Sequence, residues 1–148
     1  MAAAYVVADT TVVSHLTKSS PHSTAYNEML GERRLAVSFQ TTAELKGAGF
    51  GRARQQRVDA LLAATLRLPQ SESSDVWYAR VTEKRKELRK LKQRGSDASD
   101  ADAWIISSAL EYGLSLLSHD TQQVYLGRAA GLRVFTNLEG LREDNPQT

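Results

Sequence analysis

The chain contains no cysteine, which excludes disulfides and thiolate metal sites and leaves nothing that indicates an oxidising compartment. No stretch is apolar for long enough to span a membrane. The opening MAAAYVVADTTVVSHL has an aspartate in its middle and no basic n-region, so it is not expected to be a signal peptide, and a cytoplasmic location is the default expectation. A phosphate-binding glycine loop is missing too. Gly47, Gly49 and Gly51 cluster, but without the lysine and the preceding strand that such a loop requires. Internal repeats, low-complexity tracts and signs of a second domain are also absent.

What is present is one ordinary domain's worth of chain. With 148 residues, 41% hydrophobic and 24% charged, it is long enough to bury a proper core. We expect a single domain over residues 1–141 and a polar tail over 142–148 that frays. The net charge is only +2, but it is unevenly placed. Residues 84–94 hold seven bases (among them Lys84, Arg85, Arg89, Lys90, Lys92 and Arg94) and one acid, Glu87. Such a block suits a phosphate backbone; a solvated helix face is the plain alternative.

Hydrophobic periodicity predicts alternating strands and helices. Strands are expected at 5–8, 35–38, 114–118 and 132–135. Helices are expected after Asp9, from Ser23 to about Leu30, around Glu44, over 55–66, from Ser73 or Ser74 to about Arg94, over 100–112, and from Thr121 through Leu126. In the long helix the apolar positions are Val76, Trp77, Val81, Leu88 and Leu91; the short apolar segment ending at Pro69 is not assigned to a strand. This pattern implies an α/β fold, a three-layer α/β/α sandwich around a mostly parallel central sheet. In such sheets ligands bind at the carboxyl ends of the strands.

Asp9 and Asp120 fall at strand ends in this reading. Asp102 starts the helix that feeds the strand before Asp120, and Glu44 sits near Gly47. Each has an ordinary explanation: Asp9 and Asp120 as helix caps, Asp102 as an anion at a helix N-terminus, Glu44 as a solvated helix residue. Together they say more. At ~5 Å and an effective dielectric of ~20, each pair of carboxylates repels by roughly 3 kcal/mol. A cation resolves that conflict, and hard oxygen ligands select Mg²⁺, with Mn²⁺ as a substitute. Zinc is not expected, because cysteine is absent and His15, His22 and His119 show no ligand spacing.

These residues resemble a known family. VVADTTVVSHL resembles the opening strand and aspartate of PIN domains, and SFQTTAEL resembles the segment bearing that family's glutamate. DADAWIISSALEYGLSLLSHD resembles its Asp-x-x-Ile-Ala-Ala helix, glycine turn, strand and Thr-x-Asp. The match runs through nearly the whole chain and is nearest to the VapC-like toxins of bacterial toxin–antitoxin modules. Three positions depart from the pattern: Thr11 stands for Asn or Ser, Ile106-Ser107 for two alanines, and Ser118 for threonine.

The resemblance implies an acidic quartet of Asp9, Glu44, Asp102 and Asp120. Asp9, Asp102 and Asp120 would be metal ligands, and Asp100 is a candidate fifth member. Glu44 would serve the attacking water, and Thr10 and Ser118 would support by hydrogen bonds. It further implies a Mg²⁺-dependent endoribonuclease cutting structured RNA (tRNA or rRNA), a homodimer, and a small antitoxin partner. The alternative is a PIN-like module that binds RNA or a partner without cutting. Two other enzyme classes fit less well. A haloacid-dehalogenase phosphatase wants a second aspartate where Thr11 stands. A receiver domain wants paired acids near the first strand and a late lysine, and neither appears where required.

Overall fold

The computed structural model describes residues 4–142. Its elements run β1 (Tyr5–Ala8), α1 (Thr10–Leu16), α2 (Pro21–Leu30), β2 (Arg34–Ser38), α3 (Phe39–Lys46), α4 (Arg52–Ala63), β3 (Leu66–Leu68), α5 (Ser74–Lys90), α6 (Asp100–Glu111), β4 (Ser115–Leu117), α7 (Thr121–Ala129) and β5 (Val134–Phe135). The five strands form one sheet in the order β3-β2-β1-β4-β5, and every pairing is parallel. The fold is therefore the expected three-layer α/β/α sandwich.

The strands are short and apolar because both faces of the sheet are covered. Alternate residues feed two separate cores. Val7, Ala36, Leu116 and Val134 join Val81, Leu88, Ile106 and Leu126 of α5, α6 and α7 on one face. Val6, Ala8, Val37, Leu117 and Phe135 join Val12, Tyr26, Leu45, Val58 and Leu62 of the first four helices on the other. Gly127 lets α7 lie close to the sheet, since a Cβ there would meet Val134 Cγ2 at 2.8 Å.

Several boundaries differ from the sequence expectation. Helix α2 begins at Pro21, two residues earlier, because proline suits the first helical turn and Ser20 caps it by accepting from Ser23 N. The segment before Pro69 is an edge strand, β3, pairing with β2; three residues are too few to show a period. Helix α5 stops at Lys90 rather than near Arg94. Lys92 turns left-handed at φ 53°, and Gln93 N closes the end on Leu88 O at 2.9 Å. Val76 and Leu91, expected on the apolar face, are 50% and 59% exposed. Of the expected polar tail only Arg142 belongs to the described residues, where its Nε donates to Asn137 O at 2.9 Å; the rest lies outside them.

The sheet order fixes where chemistry can sit. From β1 the chain moves to β2 and β3, then returns to place β4 on the other side of β1. The reversal opens a crevice at the carboxyl ends of β1 and β4.

Candidate active site

Asp9 follows β1 directly and is 2% exposed. Its side chain is fixed from three directions. Oδ1 accepts from Val12 N at 2.7 Å, capping α1. Oδ2 accepts from Ser118 Oγ at 2.8 Å and from His119 N at 3.1 Å. Burial pushes the carboxyl up to about 6, and the negative charge of Asp120 adds to that shift, against the lowering effect of its hydrogen bonds.

Asp120 stands three residues beyond β4 and caps α7 by accepting from Gln123 N at 2.8 Å. Asp102 is the third residue of α6. It forms a capping box with Ser99: Asp102 N donates to Ser99 Oγ at 3.0 Å, and Ser99 N donates back to Asp102 Oδ2 at 2.9 Å. The Asp102 carboxyl is raised above its usual range, chiefly by burial, with the charges of Asp120 and Glu44 adding to it. Glu44 comes from α3, and its Oε1 accepts from Thr10 Oγ1 at 2.9 Å.

The four acids, with Thr10, Thr11, Ile105 and Gln123, line one cleft of about 200 Å³. It lies at the crevice the sheet order creates. The cap and ligand readings of Asp9, Asp102 and Asp120 are thus compatible: the bonds that cap a helix also aim each carboxylate. Among the described residues no three acids or histidines already form a ready-made ligand set. The donors are all hard oxygens under mutual repulsion, which fits a cation that keeps part of its water shell, as Mg²⁺ does.

The PIN domain family model matches residues 6–129. The chain belongs to the PIN domain family. All four acids of the cleft fall within the matched PIN region. Comparison with curated protein sequences returned no match, whereas solved structures agree in fold. A chain of VapBC2 from Rickettsia felis, bound to a DNA fragment from its promoter, superposes with a TM-score of 0.67 at 19% identity, covering 89% of this chain and 98% of that one. For VapBC-1 from nontypeable Haemophilus influenzae the TM-score is 0.66 at 24% identity, covering 89% and 97%. For VapBC-5 from Mycobacterium tuberculosis, a member of the VapBC family of toxin–antitoxin systems, it is 0.63 at 22%, covering 90% and 98%.

Asp100 does not join the quartet of this PIN domain. It sits two residues before Asp102, roughly 200° away around the helix, and its Oδ1 pairs with Arg85 at 2.8 Å. That guanidinium holds the Asp100 carboxyl below its usual range. Arg85 also donates to Ala98 O, and Arg89 to Ser96 O, each at 3.0 Å. These two arginines tie α5 to the loop before α6. Lys84 pairs with Glu87 at 3.2 Å. Arg94 donates to Tyr125 Oη at 2.8 Å and lies over its ring. Lys90 and Lys92 are exposed. Lys92 and Arg94 line a hollow with Tyr125, Arg128 and Ala129 of α7, separate from the acidic cleft.

Two groups escaped the sequence reading. Gln123 is 1% exposed and connects the site: its Oε1 lies 2.6 Å from Ser118 Oγ and its Nε2 donates to Asp102 Oδ1 at 3.3 Å. The only sequence signal was its place three residues after a capping aspartate. The three histidines, far apart in sequence, stand together beside the cleft. His119 Nδ1 contacts Tyr26 Oη at 2.5 Å. Burial and the neighbouring imidazoles lower the His15 and His119 rings below the usual histidine range.

Proposed function

We propose that this PIN domain is a Mg²⁺-dependent endoribonuclease, the toxin of a toxin–antitoxin pair, cutting phosphodiester bonds in structured RNA such as tRNA or rRNA. The observation that carries this reading is the convergence of Asp9, Glu44, Asp102 and Asp120 on one cleft. Four acids alone would repel a phosphate, so the site makes chemical sense with a cation held by Asp9, Asp102 and Asp120. Bound Mg²⁺ would supply positive charge for the phosphate, an acidified water and stabilisation for the leaving oxygen; Mn²⁺ would substitute.

The protein's own groups have distinct tasks. Asp9 is locked by Val12 N, Ser118 Oγ and His119 N, so its position does not depend on substrate. Glu44 is steadied by Thr10 Oγ1 and would orient the attacking water and take its proton. Gln123 holds Asp102, which preserves the spacing of the acids. Lys90, Lys92 and Arg94 would meet the RNA backbone, making binding salt-sensitive. Arg85 and Arg89, expected in the same role, are engaged in holding the loop and contribute less. The likeness to VapBC structures supports a small antitoxin as partner. The reading also includes a homodimer and a cytoplasmic location. Among the described residues no helix is long and apolar enough to cross a membrane.

The test is to incubate the purified protein, free of antitoxin, with total bacterial RNA and Mg²⁺, and to map new RNA ends. Discrete cuts that disappear with EDTA and in Asp9→Asn are expected. Absence of cutting by folded protein would favour the non-catalytic binding module, and cutting that persists in EDTA and in Asp9→Asn would overturn the metal-dependent reading.

A further inference from the structure

Beside the acidic cleft stands a second group of metal-ligating side chains with a different donor chemistry. His15 lies on α1, His22 on α2, and His119 between β4 and α7. Their ring centroids are 4.9 Å apart for His15 and His22, 4.7 Å for His15 and His119, and 4.5 Å for His22 and His119. Three imidazoles sharing one tetrahedral ion through metal–nitrogen bonds of ~2.0–2.1 Å would place their ring centres about 5 Å apart. The observed triangle already has that size.

The hydrogen bonds around His119 are compatible with the tautomer such a site needs. Tyr26 Oη lies 2.5 Å from His119 Nδ1 and 3.2 Å from Ser118 O, and it accepts from Asn137 N at 3.2 Å. When the phenol gives its one hydrogen to Ser118 O, its oxygen accepts from His119 Nδ1–H, which leaves Nε2 with a free lone pair. His22 Nδ1 lies 3.1 Å from the Asn137 side-chain amide. As placed, Asn137 Nδ2 donates to His22 Nδ1, so binding a metal through Nε2 would require that amide to turn its oxygen to the ring. His15 Nδ1 is buried and has no hydrogen-bond partner, and a buried polar atom left orphaned in this way points to a missing ligand.

We propose that His15, His22 and His119 bind one borderline transition-metal ion of the Zn²⁺ class, clamping α1, α2 and the link after β4 together. Among the described residues the trio is not a ready-made ligand set as it stands. Nitrogen donors separate this ion from the one expected in the oxygen-lined cleft. The two sites are joined through the backbone, since His119 N donates to Asp9 Oδ2 and Tyr26 contacts Ser118 O. Occupancy would therefore stiffen the support of Asp9. The proposal does not depend on the nuclease reading.

The test uses the full, untagged chain, stripped of metal by chelation and titrated with Co²⁺ and then Zn²⁺. One equivalent of Co²⁺ should give the intense visible absorption of a tetrahedral complex, which Zn²⁺ abolishes and excess Mg²⁺ does not. His22→Gln should lose that absorption and weaken Zn²⁺ binding by more than the roughly 10–100-fold that loss of an outer partner costs, whereas Asp120→Asn keeps both. Only the faint absorption of six-coordinate Co²⁺ in the wild-type chain would overturn the proposal. So would bands that survive His22→Gln and vanish in Asp120→Asn. If the histidine variant does not fold, the wild-type spectrum alone decides.

Discussion

Ser118 Oγ donates to Asp9 Oδ2 at 2.8 Å across 109 positions of sequence, joining the two central strand ends at the point where the sheet order reverses. The bond is buried. It is one of three that hold a carboxylate the fold takes almost entirely out of water.

Ser118→Ala removes that donor without adding bulk. Leaving the buried Asp9 oxygen without this partner should cost about 1–3 kcal/mol. Urea unfolding in EDTA at pH 8 measures the loss. An unchanged midpoint at unchanged slope would show that the contact contributes nothing to stability.

The raised Asp9 carboxyl makes a pH prediction with a definite sign. Its folded value is about 6 against 3.8 unfolded, so the folded state holds the proton more tightly. Stability from this group is fully present below pH ~4 and is lost as pH rises through ~6, by about 3 kcal/mol for a shift of roughly two units. His15 and His119 work the other way. Their lowered values give stability that is present above the unfolded histidine value and lost on acidification. The difference in unfolding free energy between the wild type and Asp9→Asn, both in EDTA, isolates the aspartate. It should fall between pH 4 and 6 and be flat above 7. A difference that rises over that window would contradict the burial argument.

Gln123→Met keeps the volume of the side chain but loses its contacts with Ser118 and Asp102. As the loss of an outer partner, it should raise the Mg²⁺ concentration for half-maximal cleavage by roughly 10–100-fold. A lower maximal rate with no change in that concentration would assign Gln123 a different role.

Asp100 and Asp102 should separate cleanly. Asp102→Asn should bring cleavage to background, whereas Asp100→Asn weakens contacts with Arg85 and Tyr78 outside the cleft and should cut close to the wild-type rate. Initial rates on one RNA, measured side by side, test this. Equal losses would place Asp100 in the site.

Three of the four acids of the cleft were legible because each sits where an independent rule places it, whereas Glu44 entered only through the family resemblance. Asp9 follows a β-branched strand, Asp120 stands just beyond another, and Asp102 starts a strongly patterned helix. The choice between Asp100 and Asp102 turned on helix phase, which spacing to Ile105 could indicate. Other features depended on tertiary contacts. Strand β3 is too short for a period and is recognised only by its pairing with β2. Arg85 and Arg89 read as free bases until the loop they hold is seen. Val76 and Leu91 kept helical spacing yet face solvent, because α5 presents a narrower buried face than its apolar positions suggest. The histidine triangle joins positions 15, 22 and 119, which no local pattern connects.

The most direct test of the central claim is the single-turnover rate of RNA cleavage as Mg²⁺ is raised from zero in EDTA-treated protein. We expect no cleavage without the ion, a saturable rise with it, and displacement of the curve to higher Mg²⁺ in Asp120→Asn. A rate in EDTA equal to that at saturating Mg²⁺, or a curve that Asp120→Asn leaves unmoved, would contradict a metal-dependent centre built from these four acids.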